Sequence, residues 1–259
     1  MSTTKFLIVS SQRTGSTYVE DCLDSHPQIR CYGEVLLGFD GPRAISLPRP
    51  LRRWRRPAIV TSSALSGALL SPARTIRSAL TTPQEPELGA VGMWLMFNQI
   101  RPTVGRLIAD DQELRIVHIS RRNVVRQVVS RVQMHAMHRM NKDFSSHSTV
   151  PVEAPSVSVD PDYLISEIHA IEQGRVKLNR VLDRHRQVEL VYEDLFASDD
   201  SVREGLASIE SLIGVEVGGC GPSQLKKTGS HNLEDAVSNF DELAHALAGT
   251  RYEGMLHAP

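Results

Sequence analysis

What this sequence has little of narrows its function first. It carries only three cysteines, Cys22, Cys31 and Cys220, far apart and with no CxxC pair. That usage argues against a disulfide framework and fits a reducing compartment. Aromatic residues make up 5%, too few for a surface that stacks single-stranded bases. The formal net charge is −1, so no global field draws the chain to nucleic acid or membrane. No apolar run approaches the roughly 20 residues that cross a bilayer. The chain opens on a strand-like run, without a basic start and an apolar leader. Together these absences point to a cytoplasmic protein with no nucleic-acid partner.

What is present is alternation. Short apolar runs predict strands at 6–10, 29–32, 90–96, 115–120 and 188–191. Segments of helical period predict helices at 16–25, 99–110, 124–140, 161–185 and 201–213. Asp160 reads as an N-cap, with Pro161 at the first helical position. The expectation is an α/β fold, P-loop-like and three-layered, with a central mostly parallel sheet flanked by helices. It forms a single domain over 1–259. Segments 40–88 and 141–160 break the alternation and read as inserted lids or substrate loops. Arg49, Arg52, Arg53, Arg55 and Arg56 surround Trp54. They are either a solvated loop or a contact for an anionic substrate or lipid, so 49–56 admits peripheral membrane contact. A homo-oligomer is left open.

The stretch "SSQRTGST" leaves the strand "KFLIVS" and enters a helix. Such a turn aims backbone N–H groups and the helix dipole at one point, which favours a phosphate or sulfate. Gly15 allows close approach, Ser16 and Thr17 supply hydroxyls, and Arg13 supplies a fork of donors for a tetrahedral oxyanion. A nucleotide hydrolase would need GxxxxGK[ST]. Here Ser10 stands in place of the first glycine and Ser16 in place of the lysine. The strand "LRIVHIS" ends in Arg121 and Arg122 instead of a magnesium-binding aspartate, which disfavours a P-loop kinase.

A second junction, "VHISRRNVVRQVVSRVQ", also runs from strand to helix. Val124, Val125, Val128, Val129 and Val132 form an apolar stripe, so packing against the sheet is expected to set this helix. Arg122, Arg126 and Ser130 step by four along a polar face. Two separated anion sites suit a nucleotide phosphorylated at both ends of its ribose.

These motifs resemble the sulfotransferase superfamily, whose donor is 3′-phosphoadenylyl sulfate (PAPS). "SQRTGST" is similar to the 5′-phosphosulfate loop of bacterial carbohydrate sulfotransferases, especially the trehalose 2-sulfotransferase type. The resemblance assigns Gln12, Arg13, Thr14, Gly15, Ser16 and Thr17 to that loop. "RNVVRQVVS" resembles the 3′-phosphate motif and places that role on Arg122 and Ser130. "VYEDLF" resembles the strand-end "YEDL" and puts Tyr192 near the adenine. "KKTGSHNLEDAVSNFDEL" and "LAGTRYEGML" resemble the C-terminal segment of bacterial members. Two departures stand out. Trp94 in "GMWLMFNQ" occupies the place of a frequent lysine, and the glycine-rich 3′-phosphate motif of animal cytosolic members is missing. Lys226, Lys227 and Ser230 are the substitutes for that motif.

The resemblance implies transfer of a sulfuryl group from PAPS to a hydroxyl of a carbohydrate, glycolipid or small metabolite. Adenosine 3′,5′-bisphosphate would be the product, and no metal is expected. Arg13 would neutralise the leaving phosphate. Glu34 in "CYGEVLLG" is the first candidate for the base, with His118, His135 and His138 as alternatives. "HAMH" puts His135 and His138 on one helix face but without a nearby third metal ligand. The alternative function is a catalytically silent member that binds a 3′-phosphonucleotide or a protein partner.

Overall fold

A computed structural model describes residues 3–34, 36, 72–81, 87–140, 152–226 and 232–258. Lys227, Ser230, the arginine run at 49–56 and most of the segments 40–88 and 141–160 lie outside the described residues. Strands β1 (Thr4–Ser10), β2 (Ile29–Glu34), β3 (Ala90–Met96), β4 (Arg115–Ser120) and β5 (Gln187–Val191) form one sheet. Its order is β2-β3-β1-β4-β5, and every pairing is parallel. The helices are α1 (Ser16–Asp24), α2 (Pro72–Thr81), α3 (Pro102–Asp110), α4 (Val124–Met140) and α5 (Pro161–Leu182). They continue with α6 (Tyr192–Leu195), α7 (Asp199–Ile213), α8 (Leu233–Ala236) and α9 (Phe240–Leu247).

An all-parallel sheet needs cover on both faces, which is why its strands read as unbroken apolar runs. Phe6, Leu7, Ile8 and Val9 are successive residues of β1, and none has any exposed surface. Phe6, Ile8, Val117 and Ile119 pack with Val19 and Leu23 of α1 and with Leu206 and Ile209 of α7. Leu7, Val9, Met93 and Ile116 pack on the other face with Ile76 of α2, Ile108 of α3 and Leu182 of α5. The result is three layers, α/β/α.

Several boundaries differ from the sequence expectation. The helix expected at 99–110 begins at Pro102, because Phe97–Gln99 form a 3-10 turn and Pro102 takes the first helical position. Helix α2 falls inside the segment expected to be an insertion. The valine stripe of α4 joins Leu164 and Ile168 of α5 and Leu243 and Leu247 of α9 in a core that contains no strand residue. Helices, not the sheet, therefore set α4. Asp160 does cap α5, its carboxylate accepting the N–H of Tyr163 at 3.0 Å.

Candidate functional site

The loop between β1 and α1 sits where the strand order reverses, at the carboxyl end of the central strand. That is where open α/β sheets bind ligands. Arg13 and Gly15 are both left-handed, at φ 63° and 81°. Arg13 has a Cβ and adopts this region only because the loop is held from several sides. The Thr14 hydroxyl donates to the Ser11 carbonyl at 3.0 Å, and Arg121 Nη1 donates to the Arg13 carbonyl at 3.2 Å. Gln127 Nε2, on α4, donates to Ser11 Oγ and, at 2.7 Å, to the Gln12 carbonyl. A Cβ added to Gly15 would lie 2.5 Å from the Phe196 ring, so the loop also depends on glycine for space. Ser16 and Thr17 open α1, with N–H groups ahead of the first intrahelical bonds. These form a concave donor surface suited to an anion.

Arg13 joins this loop to the second motif. Its Nε donates to Ser130 Oγ, two turns into α4, at 3.0 Å. Arg122 is not brought to that point. Its guanidinium runs to Asp194 Oδ2 at 2.6 Å, and both side chains are about 60% exposed. The N–H groups of Arg122 and Asn123 donate to the Glu193 carboxylate at 2.8 and 3.0 Å. Thus the second junction is capped by the chain's own anion. The polar face of α4 instead presents Arg126 and Ser130, and Arg126 Nε donates to the Ala258 carbonyl at 2.8 Å. The expected rim shared by Arg122 and Ser130 is absent because Arg122 precedes the helix.

Four arginines converge here. Arg121 lies over the Tyr192 ring, its guanidinium carbon 4.4 Å from the centroid. Arg175 donates from α5 to the Arg121 carbonyl and, at 3.4 Å, to Gln127 Oε1. Burial pushes Arg13, Arg121, Arg126 and Arg175 below the ordinary guanidinium range. Arg121 adds to the effect on Arg13, and Arg126 to that on Arg121. Cations crowded in this way gain from a dianion placed among them. The buried Nε–H groups of Arg121 and Arg175 have no hydrogen-bond acceptor among the described residues. An anion fits this donor set. Sequence reasoning named Arg121 only as a replacement for a magnesium-binding aspartate, and it did not single out Gln127 or Arg175. Arg121 could have been found from its place at the strand end, whereas the other two carry no local signal.

Tyr192 stands beside the loop, 3.2 Å from a Cβ placed on Gly15, and its ring is 4.8 Å from that of Phe196. Lys226 is exposed, three residues beyond Ser223, whose hydroxyl donates to Asp21 of α1 at 2.7 Å. Glu34 ends β2, where one extra residue in the pairing with β3 and Gly33 at φ 66° bring it level with Trp94. Gln99 Nε2 donates to Glu34 Oε1 at 2.6 Å. Trp94 itself donates from Nε1 to Ser10 Oγ at 2.7 Å, at the root of the loop. Glu34 and the loop are two strands apart on the same end of the sheet, about 10 Å at the usual strand spacing.

His118 is buried with Nδ1 3.8 Å from Glu189 Oε1. Burial lowers its pKa, Glu189 opposes this and Arg175 reinforces it. Burial and nearby cations also lower that of His135. Among the described residues, no group of three or more His, Cys, Asp and Glu side chains could hold a metal ion. Nor is any described helix long and apolar enough to cross a membrane.

No family model and no curated protein matches the chain. Among solved structures, it is similar to a sulfotransferase from Alicyclobacillus acidocaldarius. The two share 16% identity at a TM-score of 0.51, over 100% of this chain and 98% of that one. It also aligns with the sulfotransferase domain of the Synechococcus PCC 7002 olefin synthase at 16% identity and a TM-score of 0.42, over 83% and 75%. The Alicyclobacillus likeness shows a shared fold over the full length of the chain.

Proposed function

We propose that this chain is a sulfotransferase that moves a sulfuryl group from PAPS to a hydroxyl of a carbohydrate, glycolipid or small metabolite. The observation that carries the reading is the Arg13–Ser130 bond. It joins the two anion motifs inside one arginine cluster, on a fold shared with a sulfotransferase. The end of β4 carries Arg121 and Arg122, which suits an anionic donor handled by protein cations without a bound metal.

In this reading the loop N–H groups and Arg13 hold the 5′-phosphosulfate, and Ser130 and Arg126 face the 3′-phosphate. Arg122 joins them by exchanging Asp194 for phosphate, since exposed ion pairs give way readily to a dianion. Tyr192 borders the adenine side. Glu34 takes the proton of the acceptor hydroxyl as its oxygen bonds to sulfur. The sulfur–oxygen bond to the 5′-phosphate breaks in line, and Arg13 receives the charge left on that phosphate. The cluster is formed before the reaction and costs no reorganisation during it. The protein is cytoplasmic in this proposal, and its acceptor is a small molecule.

The test is transfer from radiolabelled PAPS to a panel of sugars, glycolipids and hydroxylated metabolites. Arg13→Ala should cut transfer by about 10²–10³-fold and Glu34→Gln should abolish it, and only the first should weaken nucleotide binding. Trp94, where similar proteins often carry lysine, favours the second reading of a silent binder. That reading predicts tight binding of adenosine 3′,5′-bisphosphate with no transfer to any acceptor.

A further inference from the structure

The structure assigns Gln99 as the residue that positions Glu34 for proton removal, an inference that rests on Glu34 being the base. Gln99 is only 2% exposed and lies in the 3-10 turn that follows β3. Its amide is fixed at both ends. Oε1 accepts the N–H of Met96 at 2.9 Å, and Nε2 donates to Glu34 Oε1 at 2.6 Å. The reverse orientation would set the amide NH₂ against the Met96 N–H and its oxygen against a carboxylate. The backbone therefore decides which way the amide points. Its own backbone is fixed as well, since the Gln99 carbonyl accepts the N–H of Arg101 at 2.9 Å.

Consequences for proton transfer follow from this geometry. A neutral donor at hydrogen-bond distance stabilises the ionised carboxylate, which is the form a base needs at neutral pH. The positive-φ Gly33 and the extra residue in β2 aim the carboxylate from one side, and the β3 turn grips it from the other. Gln99 touches neither donor nor acceptor in this scheme. It acts through Glu34.

The test uses two variants of the full chain. Gln99→Met removes both amide bonds, whereas Gln99→Glu keeps an oxygen for the Met96 N–H and sets a second carboxyl group against Glu34. Glutamate labelled with ¹³C at the carboxyl carbon, with Glu34→Gln to identify the resonance, reports the titration of Glu34 directly. Gln99→Met should raise its midpoint by about 1 pH unit or more, the energy of one hydrogen bond to a charged group, whereas Gln99→Glu should split the titration into two coupled steps. The acid limb of the kcat/KM profile should rise with it, while affinity for adenosine 3′,5′-bisphosphate stays unchanged. An unmoved midpoint in Gln99→Met, with a native thermal melt, overturns the assignment. A wild-type protein that transfers nothing sinks the base reading and the positioning role with it, whereas the titration, which does not depend on turnover, overturns the Gln99–Glu34 coupling by itself.

Discussion

At the scale of single residues, the site depends on side chains held in conformations they would not adopt alone. Arg13 at φ 63° and Gly15 at φ 81° belong to one anion loop but tolerate change differently. Gly15→Ala places a methyl 2.5 Å from a Phe196 ring carbon and in a left-handed backbone. It should destabilise the fold by more than about 1 kcal/mol in urea denaturation and weaken nucleotide-dependent thermal stabilisation. Arg13→Ala should leave the melting temperature within a few degrees. It should cost on the order of 3–4 kcal/mol of transition-state stabilisation, read as a 10²–10³-fold fall in kcat. The loop itself was legible, because glycine, hydroxyls and arginine after a buried strand state their chemistry locally. Gln127 and Arg175 were not, since their partners lie more than 100 and about 50 residues away.

At the scale of elements, α4 serves as the backbone of the site. The N–H groups just ahead of it are satisfied by Glu193, its first turn carries Gln127 to the loop, and Ser130, two turns in, meets Arg13. Glu193→Ala should lower stability by about 1–2 kcal/mol, because the N–H groups of Arg122 and Asn123 lose their charged acceptor, measured by urea denaturation. The bounds of β3, β4 and α4 matched the sequence expectation, because apolar runs with sharp polar flanks leave little choice. Helix α2 escaped because only Ile76, Ala79 and Leu80 mark its buried stripe within a proline-rich segment. "YEDL" reads as a strand end, yet it forms the turn α6 that pairs with Arg122 and holds the N–H groups just ahead of α4. That assignment needed a partner 70 residues distant, which no local pattern encodes.

At the scale of the whole molecule, charges are concentrated although the net charge is close to zero. Acidic groups serve as internal clasps, and cations gather at the sheet's carboxyl end. Glu210 is a clasp of this kind. Burial pushes its carboxyl up, but the N–H groups of Gly218 and Cys220, at 2.6 and 2.9 Å, and nearby His26 leave it below the usual range. Its stabilisation is present above the unfolded carboxylate value near about 4.3 and is lost as pH falls through the folded value. Glu210→Gln should therefore lower stability at pH 7 and flatten the acid side of a stability–pH curve measured by thermal melts. The arginine cluster works in the opposite sense, as four cations each held below their ordinary pKa by burial.

The most direct measurement of the central claim is calorimetric titration with adenosine 3′,5′-bisphosphate in the presence of EDTA. The predicted result is one-site binding that needs no metal, weakens at least about tenfold in Arg13→Ala, and loses strength as salt screens the arginines. A wild-type protein that shows no binding heat, or that binds only ATP with magnesium, would contradict it.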